Sequence, residues 1–437
     1  MFNWNRLLNA LNQAKDLTGR AAQILAVRVL GALLQFCFFL ILAKEAGVDG
    51  FGLFSLGYSI MLIASAVSRW GMDQIAIREL AVHASKSDWP RYQATYKNGL
   101  KMVLVGGLVI SGLLWIVLQI TSAFMAGLAK NIPVLGWLIL AVIPFSITQY
   151  VGECMRTKGM QISASMLQTV AAPALILVAL LLPWPEHKSI EGIAIAYVIA
   201  CSVVGMISLK LWRDNTPETG LSNGLQGSVS PRRMFEVATP LAMATIMTTW
   251  LGFSEIVMLG FMRGAEDVAG YAASVRVLFL FGFVVITLNN VLSPTFALMY
   301  KNNDLPTLWR LVKRASMAGV LIAFPMLLAM FLFSGEIIGL FGKEFLFAVP
   351  ALQILTVGQF FLCFAGTWGT VLIMSGHERI YRRIIAFSVL VNLLAGPILI
   401  HAYGIVGAAI SASITIVVAN IMCLIAITKL CRVRIAR

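Results

Sequence analysis

The chain has 437 residues, of which 59% are hydrophobic and 12% charged, and its mean hydropathy is +0.87. That composition excludes a water-soluble globule and requires a lipid-facing surface. The net charge of +14 does not point to nucleic acid, because the basic residues are spread through short linkers between apolar runs instead of gathering on one domain.

Near the start, Trp4, Leu7, Leu8 and Leu11 recur at helical spacing beside Arg6 and Lys15, the pattern of a short helix lying on a membrane surface. The first apolar run, Ala22 to Ala43, is longer than the hydrophobic region of a signal peptide, and no convincing small-residue cleavage site follows. It reads as a first span. Further runs lie near 50–70, 100–121, 133–152, 161–183 and 191–211, then near 238–262, 269–298, 315–333, 348–374, 384–400 and 405–428. About twelve spans of ~20–25 residues use up nearly the whole chain, so no separate soluble domain fits. The reading is an all-α polytopic membrane protein.

Lys and Arg resist transfer across a bilayer and accumulate in cytoplasmic loops. With both termini cytoplasmic, 26 of the 33 basic residues fall at cytoplasmic segments, and Lys44, Lys130, Lys188, Arg263 and Lys343 fall in outer loops. Arg28 and Arg276 are the two left inside spans. An odd span count would scramble this alternation.

Landmarks recur between the halves. Gly52 pairs with Gly270, Asp88-Trp89-Pro90 with Asp304-Leu305-Pro306, Gly159 with Gly376, and Gly192-Ile193-Ala194 with Gly407-Ala408-Ala409, at separations of 215 to 218 residues. Since each half holds six spans, an even number, the repeats share one orientation, as in two lobes related by an axis along the membrane normal. The expected organisation is a six-helix lobe over 1–211, a cytoplasmic linker over 212–236 containing Pro217, Gly220, Gly224, Gly227 and Pro231, and a second six-helix lobe over 237–437.

Several short stretches resemble a known family. They are Leu42-Ala43-Lys44-Glu45-Ala46-Gly47 followed by Phe51-Gly52-Leu53-Phe54, and Glu255-Ile256-Val257-Met258-Leu259-Gly260 followed by Gly264-Ala265-Glu266 and Ala269-Gly270-Tyr271. Later come Leu340-Phe341-Gly342-Lys343-Glu344-Phe345, Gly376-His377-Glu378 and Tyr403-Gly404-Ile405-Val406-Gly407-Ala408-Ala409. In order and spacing they resemble the polysaccharide-exporter branch of the multidrug/oligosaccharidyl-lipid/polysaccharide superfamily, in particular the Wzx-type flippases. The resemblance implies that superfamily's fold and a multi-pass protein of the bacterial inner membrane. It further implies transport, without catalysis, of undecaprenyl-pyrophosphate-linked oligosaccharides from the cytoplasmic to the periplasmic leaflet, for O-antigen and lipopolysaccharide, capsule or exopolysaccharide. The implied partners are the lipid-linked glycan, membrane lipids and other polysaccharide assembly proteins. Lipid II flippases of the superfamily carry two extra spans, which this chain lacks.

A pyrophosphate and a glycan must cross a core that penalises charge by several kcal/mol or more, so a polar, cationic cavity between the lobes is expected. Arg28 sits roughly six residues, about 9 Å, into the first span, and Gln35 shares its face; both are candidates for the lining. Arg276 lies inside the eighth span, with Thr287 and Asn290 at plus 11 and plus 14 on its face, making a polar stripe. Its guanidinium can bind phosphate oxygens as a bidentate fork; the alternative is a structural ion pair with Glu255. Glu255 is the acidic residue well inside a span, and a role in coupling transport to an H+ or Na+ gradient is the second reading for it. Gln149 and Glu153, one turn apart, and Arg69 beside Trp70 are candidates for a cytoplasmic entrance, with a wet helix end and an interfacial anchor as the bland alternatives.

No histidine pair has metal-ligand spacing, and the six cysteines suggest neither a disulfide framework nor a metal site, so no metal or resident cofactor is expected. The rival functions are a multidrug-type cation antiporter, whose cavity would favour acids, and a membrane-bound polymerase or glycosyltransferase, which needs paired acids in a sizeable loop. The two arginines set against one glutamate favour an anionic cargo, and the outer loops are too short for an enzyme of that kind.

Overall fold

A computed structural model describes residues 4–124, 132–182, 189–216 and 231–435, and among them every regular element is helical. The helices are α1 (Trp4–Arg69), α2 (Trp89–Phe124), α3 (Ile132–Leu140), α4 (Val142–Arg156), α5 (Gln161–Ser165), α6 (Ala172–Leu181) and α7 (Ile190–Asp214). The second half holds α8 (Pro231–Met262), α9 (Ala265–Lys301), α10 (Leu305–Leu332), α11 (Val349–Met374) and α12 (Glu378–Ile435).

Among the described residues, nine stretches are long and apolar enough to cross a membrane. Two of them, Ala22–Arg69 and Glu378–Lys429, are 48 and 52 residues long and turn at Gly47 and Gly404, where φ is +64° and +57°, so each crosses twice. With α9 as a further crossing, the nine stretches account for twelve. An even number returns the chain to the face where it began, called the terminal face below; Gly47, Gly264 and Gly404 mark the distal face. The expected surface helix near Trp4 is not a separate element, because α1 runs unbroken from Trp4 into the first crossing.

Backbone geometry repeats with the sequence landmarks. Positive φ angles recur at Gly47 and Gly264, Ser87 and Asn303, and Gly159 and Gly376, each pair 216 or 217 residues apart. Asp88 and Asp304 follow two of these and accept the backbone N–H of Arg91 and Thr307, both at 3.2 Å. A short polar side chain that satisfies an orphan N–H is what a helix start requires, and here both halves use it at the same place.

Two six-helix lobes result, and the hydrophobic core shows how they meet. One cluster near the distal face joins both lobes: Phe39, Phe51 and Phe54 pack with Leu259, Phe341 and Phe345. The Phe51 ring sits 5.4 Å from Phe345 and 5.8 Å from Phe341, edge to face. A Cβ on Gly52 would stand 1.9 Å from the carbonyl oxygen of Ala265, so only glycine lets α1 and α9 approach this closely. Toward the terminal face the core splits. One cluster, around Tyr92, Tyr96, Tyr150 and Trp212, belongs to the first lobe plus the start of α8, and another, around Phe296, Trp368 and Ile427, belongs to the second. The lobes are fused at the distal end; toward the terminal end they stay in contact where Trp70 and Gly71 pack on Phe235 and Ala238 of α8, and a wedge lies beside that contact.

Candidate functional site

The wedge is built on the first arm of α1. Arg28, Ala32, Gln35 and Phe39 follow at intervals of four, three and four residues and fall on one helical face. Gly31, beside them, lets α1 approach Thr169 at the backbone. Two connected compartments lie along this face, of about 330 and about 450 Å³, sharing Ala32, Gln35, Tyr58 and Phe145. The first lies inside the first lobe against Arg28, Gln168, Thr169 and Tyr197. The second lies between the lobes against Arg69, Gln149, Thr249, Phe253, Arg276 and Phe279. Neither has an Asp or Glu among its described lining residues.

Arg276 is only 5% exposed. Its guanidinium carbon stands 3.9 Å from the centre of the Phe39 ring and 5.0 Å from that of Tyr58, so two aromatic faces hold the cation. Among the described residues its Nε and Nη2 have no hydrogen-bond partner. A buried donor without a partner costs more than an ordinary hydrogen bond gains, and Arg276 lines the inter-lobe compartment although these two nitrogens are themselves buried. Tyr58, the residue that the repeat aligns with Arg276, meets it across the lobe boundary and accepts a 2.6 Å hydrogen bond from Gln35 Nε2.

Glu255, also buried, is placed differently from the ion-pair expectation. Its Oε1 accepts from Asn392 Nδ2 at 2.7 Å and its Oε2 from Ser254 Oγ at 2.9 Å, while Asn392 Oδ1 accepts from Trp250 Nε1 at 3.2 Å. Among the described residues no ion pair joins Glu255 to Arg276. The physical reason is direction: Glu255 turns toward α12 within its own lobe, and Arg276 turns across the boundary toward α1.

The entrance candidates are held in networks. Arg69 donates from Nε to Asp73 Oδ2 at 2.7 Å and also bonds Ser65 Oγ, so its charge is balanced although it lines the inter-lobe compartment. Glu153 sits 3.6 Å from Arg156 Nη1 and accepts from Gln168 Nε2 at 3.2 Å; it does not line the compartments. Arg156 Nη2 donates to Gln168 Oε1 at 2.6 Å, and Gln168 Nε2 donates to the Gln149 carbonyl at 3.0 Å. Arg28 lies within electrostatic range of both Arg156 and Glu153 and has no hydrogen bond among the described residues. The side chains of Thr287 and Asn290 lie outside the described residues.

Sequence reasoning missed Gln168, Tyr197 and Thr249. Gln168 was findable, as a lone amide in an apolar run by the argument that selected Gln35. Its segment, Met166–Ala171, is a widened π turn, and such turns re-aim side chains at functional positions.

The Polysaccharide biosynthesis protein family model matches residues 20–299, and the MatE model matches 240–398. A probable low-salt glycan biosynthesis flippase of Haloferax volcanii is 19% identical over 408 residues, covering 93% of this chain and 82% of that protein. An uncharacterised membrane protein of Methanocaldococcus jannaschii is 30% identical over 166 residues, covering 37% of this chain and 32% of its own length. Among solved structures, an inward-facing multidrug resistance MATE family transporter of the MOP superfamily matches with a TM-score of 0.76 at 15% identity, covering 95% of this chain and 98% of its own. The lipid II flippase MurJ, in its inward closed conformation, matches with a TM-score of 0.70 at 14% identity, covering 93% and 87%. These likenesses place the chain in the MOP fold.

Proposed function

Because the chain belongs to the polysaccharide biosynthesis protein family, we propose that it is a flippase of the Wzx type, turning undecaprenyl-pyrophosphate-linked oligosaccharide repeat units from the cytoplasmic to the periplasmic leaflet of a bacterial inner membrane. The product would feed a surface polysaccharide such as O-antigen, capsule or exopolysaccharide, alongside other assembly proteins. In this reading the terminal face is cytoplasmic, as the distribution of basic residues favours, and the wedge opens toward it. The lobes over 1–211 and 237–437 rock about the distal seam near Gly52, tethered by the linker over 212–236, of which 217–230 lie outside the described residues.

One observation carries the reading: Arg276, buried and stacked, lines the compartment shared by the two lobes, and among the described residues its Nε and Nη2 are unpaired. Two such donors fit two phosphate oxygens, and Arg28 brings a second cation to the adjoining compartment. Gln35, Gln149 and Gln168 supply donors and acceptors suited to a glycan. The MatE match favours a cation antiporter as the second reading, but a cavity with arginines and no described carboxylate repels an organic cation. Glu255, held by neutral groups alone, is proposed as the point where a proton or sodium gradient is coupled.

The test is deletion of the gene in its host. The expected result is lipid-linked oligosaccharide accumulating on the cytoplasmic leaflet while its synthesis continues. Unchanged distribution between leaflets, or a loss of drug-cation export alone, would overturn the reading.

A further inference from the structure

A flippase must move a head group through its interior while the hydrocarbon tail stays in lipid, and this chain has a mostly apolar path of the required length outside the wedge, with Arg263 at its distal end. It runs along one seam, where the second arm of α1 and α2 of the first lobe face α8 of the second. In the terminal half, a pocket of about 470 Å³ lies between Val67, Met102, Val105, Val109, Ile110 and Phe235. In the distal half, a pocket of about 380 Å³ lies between Leu53, Leu56, Ile60, Leu114, Val117 and Gly260. These three helices contribute to both, and the distal pocket is also lined by Leu135 and Ile139 of α3, by Arg263 and by Ala265 of α9.

The two pockets lie end to end along α2 and are taken together as one groove. Ile110 of the lower pocket and Leu114 of the upper stand one turn apart on α2. On α1, Leu53, Leu56, Gly57, Ile60 and Val67 fall on one helical face. Met102 to Thr121 on α2 covers ~29 Å at ~1.5 Å per residue, close to the ~30 Å hydrocarbon thickness of a bilayer. The groove is open sideways to lipid, since Val105, Val109 and Val117 are 50%, 53% and 53% exposed.

Its lower mouth is polar. Asn98 and the exposed Lys101 stand there beside Arg69, and Arg69 lines the inter-lobe compartment as well. One residue therefore borders both the place for a head group and the place for a chain. The seam on the other side, where α9 meets the first arm of α1, is filled by Phe39 beneath the Arg276 guanidinium. The α1–α2–α8 side is open along its pockets, and at its terminal end Trp70 stacks on Phe235 at 5.4 Å.

We propose that this groove is the track for the polyprenyl tail of the lipid-linked cargo, with Arg69 and Lys101 at the point where head and tail part company. The inference rests on the flippase reading and adds to it the route by which the substrate enters and the chain is carried. An isoprenoid chain laid in the groove stays anchored to the lobe seam that moves, so head and tail advance together when the lobes rock.

The test uses the full chain in lipid nanodiscs and two probes, isopentenyl diphosphate and undecaprenyl diphosphate, which share a head and differ in tail. Val109→Trp and Val117→Trp fill the lower and upper pockets at positions already exposed; Leu108→Trp, at a position 61% exposed and lining neither pocket, is the control. Either groove variant is expected to weaken undecaprenyl diphosphate on the order of tenfold, ~1.4 kcal/mol, and to leave isopentenyl diphosphate unchanged; the control alters neither. A photoreactive group on the chain should label α1, α2 and α8. If both probes bind as in wild type, or if the chain labels no more than a phospholipid carrying the same group, the track is wrong while the flippase reading stands. If the unmodified protein binds neither diphosphate, the flippase reading falls and the track with it.

Discussion

Replacing Arg276 by Met separates binding from folding. In the folded protein Arg276 is 5% exposed, and two of its nitrogens have no partner among the described residues. Removing it deletes a desolvated, unpaired charge from the core. Met keeps most of the volume and still packs on Phe39, so stability is expected to stay level or rise, by analogy with buried charges replaced by apolar residues of similar size, which gain about 1–4 kcal/mol. Binding should move the other way. Each charge-assisted hydrogen bond to a phosphate oxygen contributes about 1.5–3 kcal/mol, so losing two costs roughly 3–6 kcal/mol, a weakening of at least about a hundredfold. Arg276→Lys keeps the charge and loses the fork, and should fall between. The assay is equilibrium binding of undecaprenyl diphosphate to purified protein, with thermal unfolding measured on the same preparations. Arg276→Met binding within twofold of wild type, or a large drop in Tm, would refute the argument that these donors are kept unpaired for an anion.

Three further outcomes follow from other positions. Gly52→Ala puts a Cβ against the Ala265 carbonyl, so the distal seam must separate; a loss of about 1–3 kcal/mol is expected, read by thermal unfolding in detergent, and an unchanged Tm would show that the seam is not tight. Glu255→Gln keeps the bond from Asn392 and the fold, and should abolish the response of transport to an imposed proton or sodium gradient in proteoliposomes; a full response would remove Glu255 from coupling. Lys158 is held between Trp212 and Tyr92, 4.2 and 5.5 Å from their ring centres, and donates to the Asn215 carbonyl at 3.0 Å. Burial pushes its ammonium down to about 8 from an ordinary 10.5. Between those values the unfolded chain binds more protons than the folded one, so stability rises with pH across that window. The Tm of wild type should therefore gain on that of Lys158→Met from pH 8 to pH 10, and a falling difference would contradict the burial argument.

Much of the fold was legible because lipid leaves few alternatives: apolar run lengths and the placement of Lys and Arg together specify twelve crossings, and landmarks such as Gly159 and Gly376 carry the repeat into backbone angles. Arg28, Gln35 and Arg276 stand out as polar groups at apolar depth and Arg69 and Gln149 as entrance candidates at span ends, and the structure brings all five to the two compartments. Direction was not legible. Depth alone placed Glu255 level with Arg276, and only packing shows that one faces α12 and the other α1. Nor could periodicity find Gln168, whose orientation depends on a π turn, or the apolar pockets that form where α1 and α2 meet α8.

The arginine-lined wedge is proposed to carry a diphosphate-bearing lipid. The most direct measurement is movement of an undecaprenyl-diphosphate-linked glycan between leaflets of proteoliposomes, followed by its accessibility to an external glycosidase. The account predicts that the wild-type protein exposes the glycan and that Arg276→Met does not, although it folds. Equal movement by both proteins, or transport of an organic cation with none of the lipid, would contradict it.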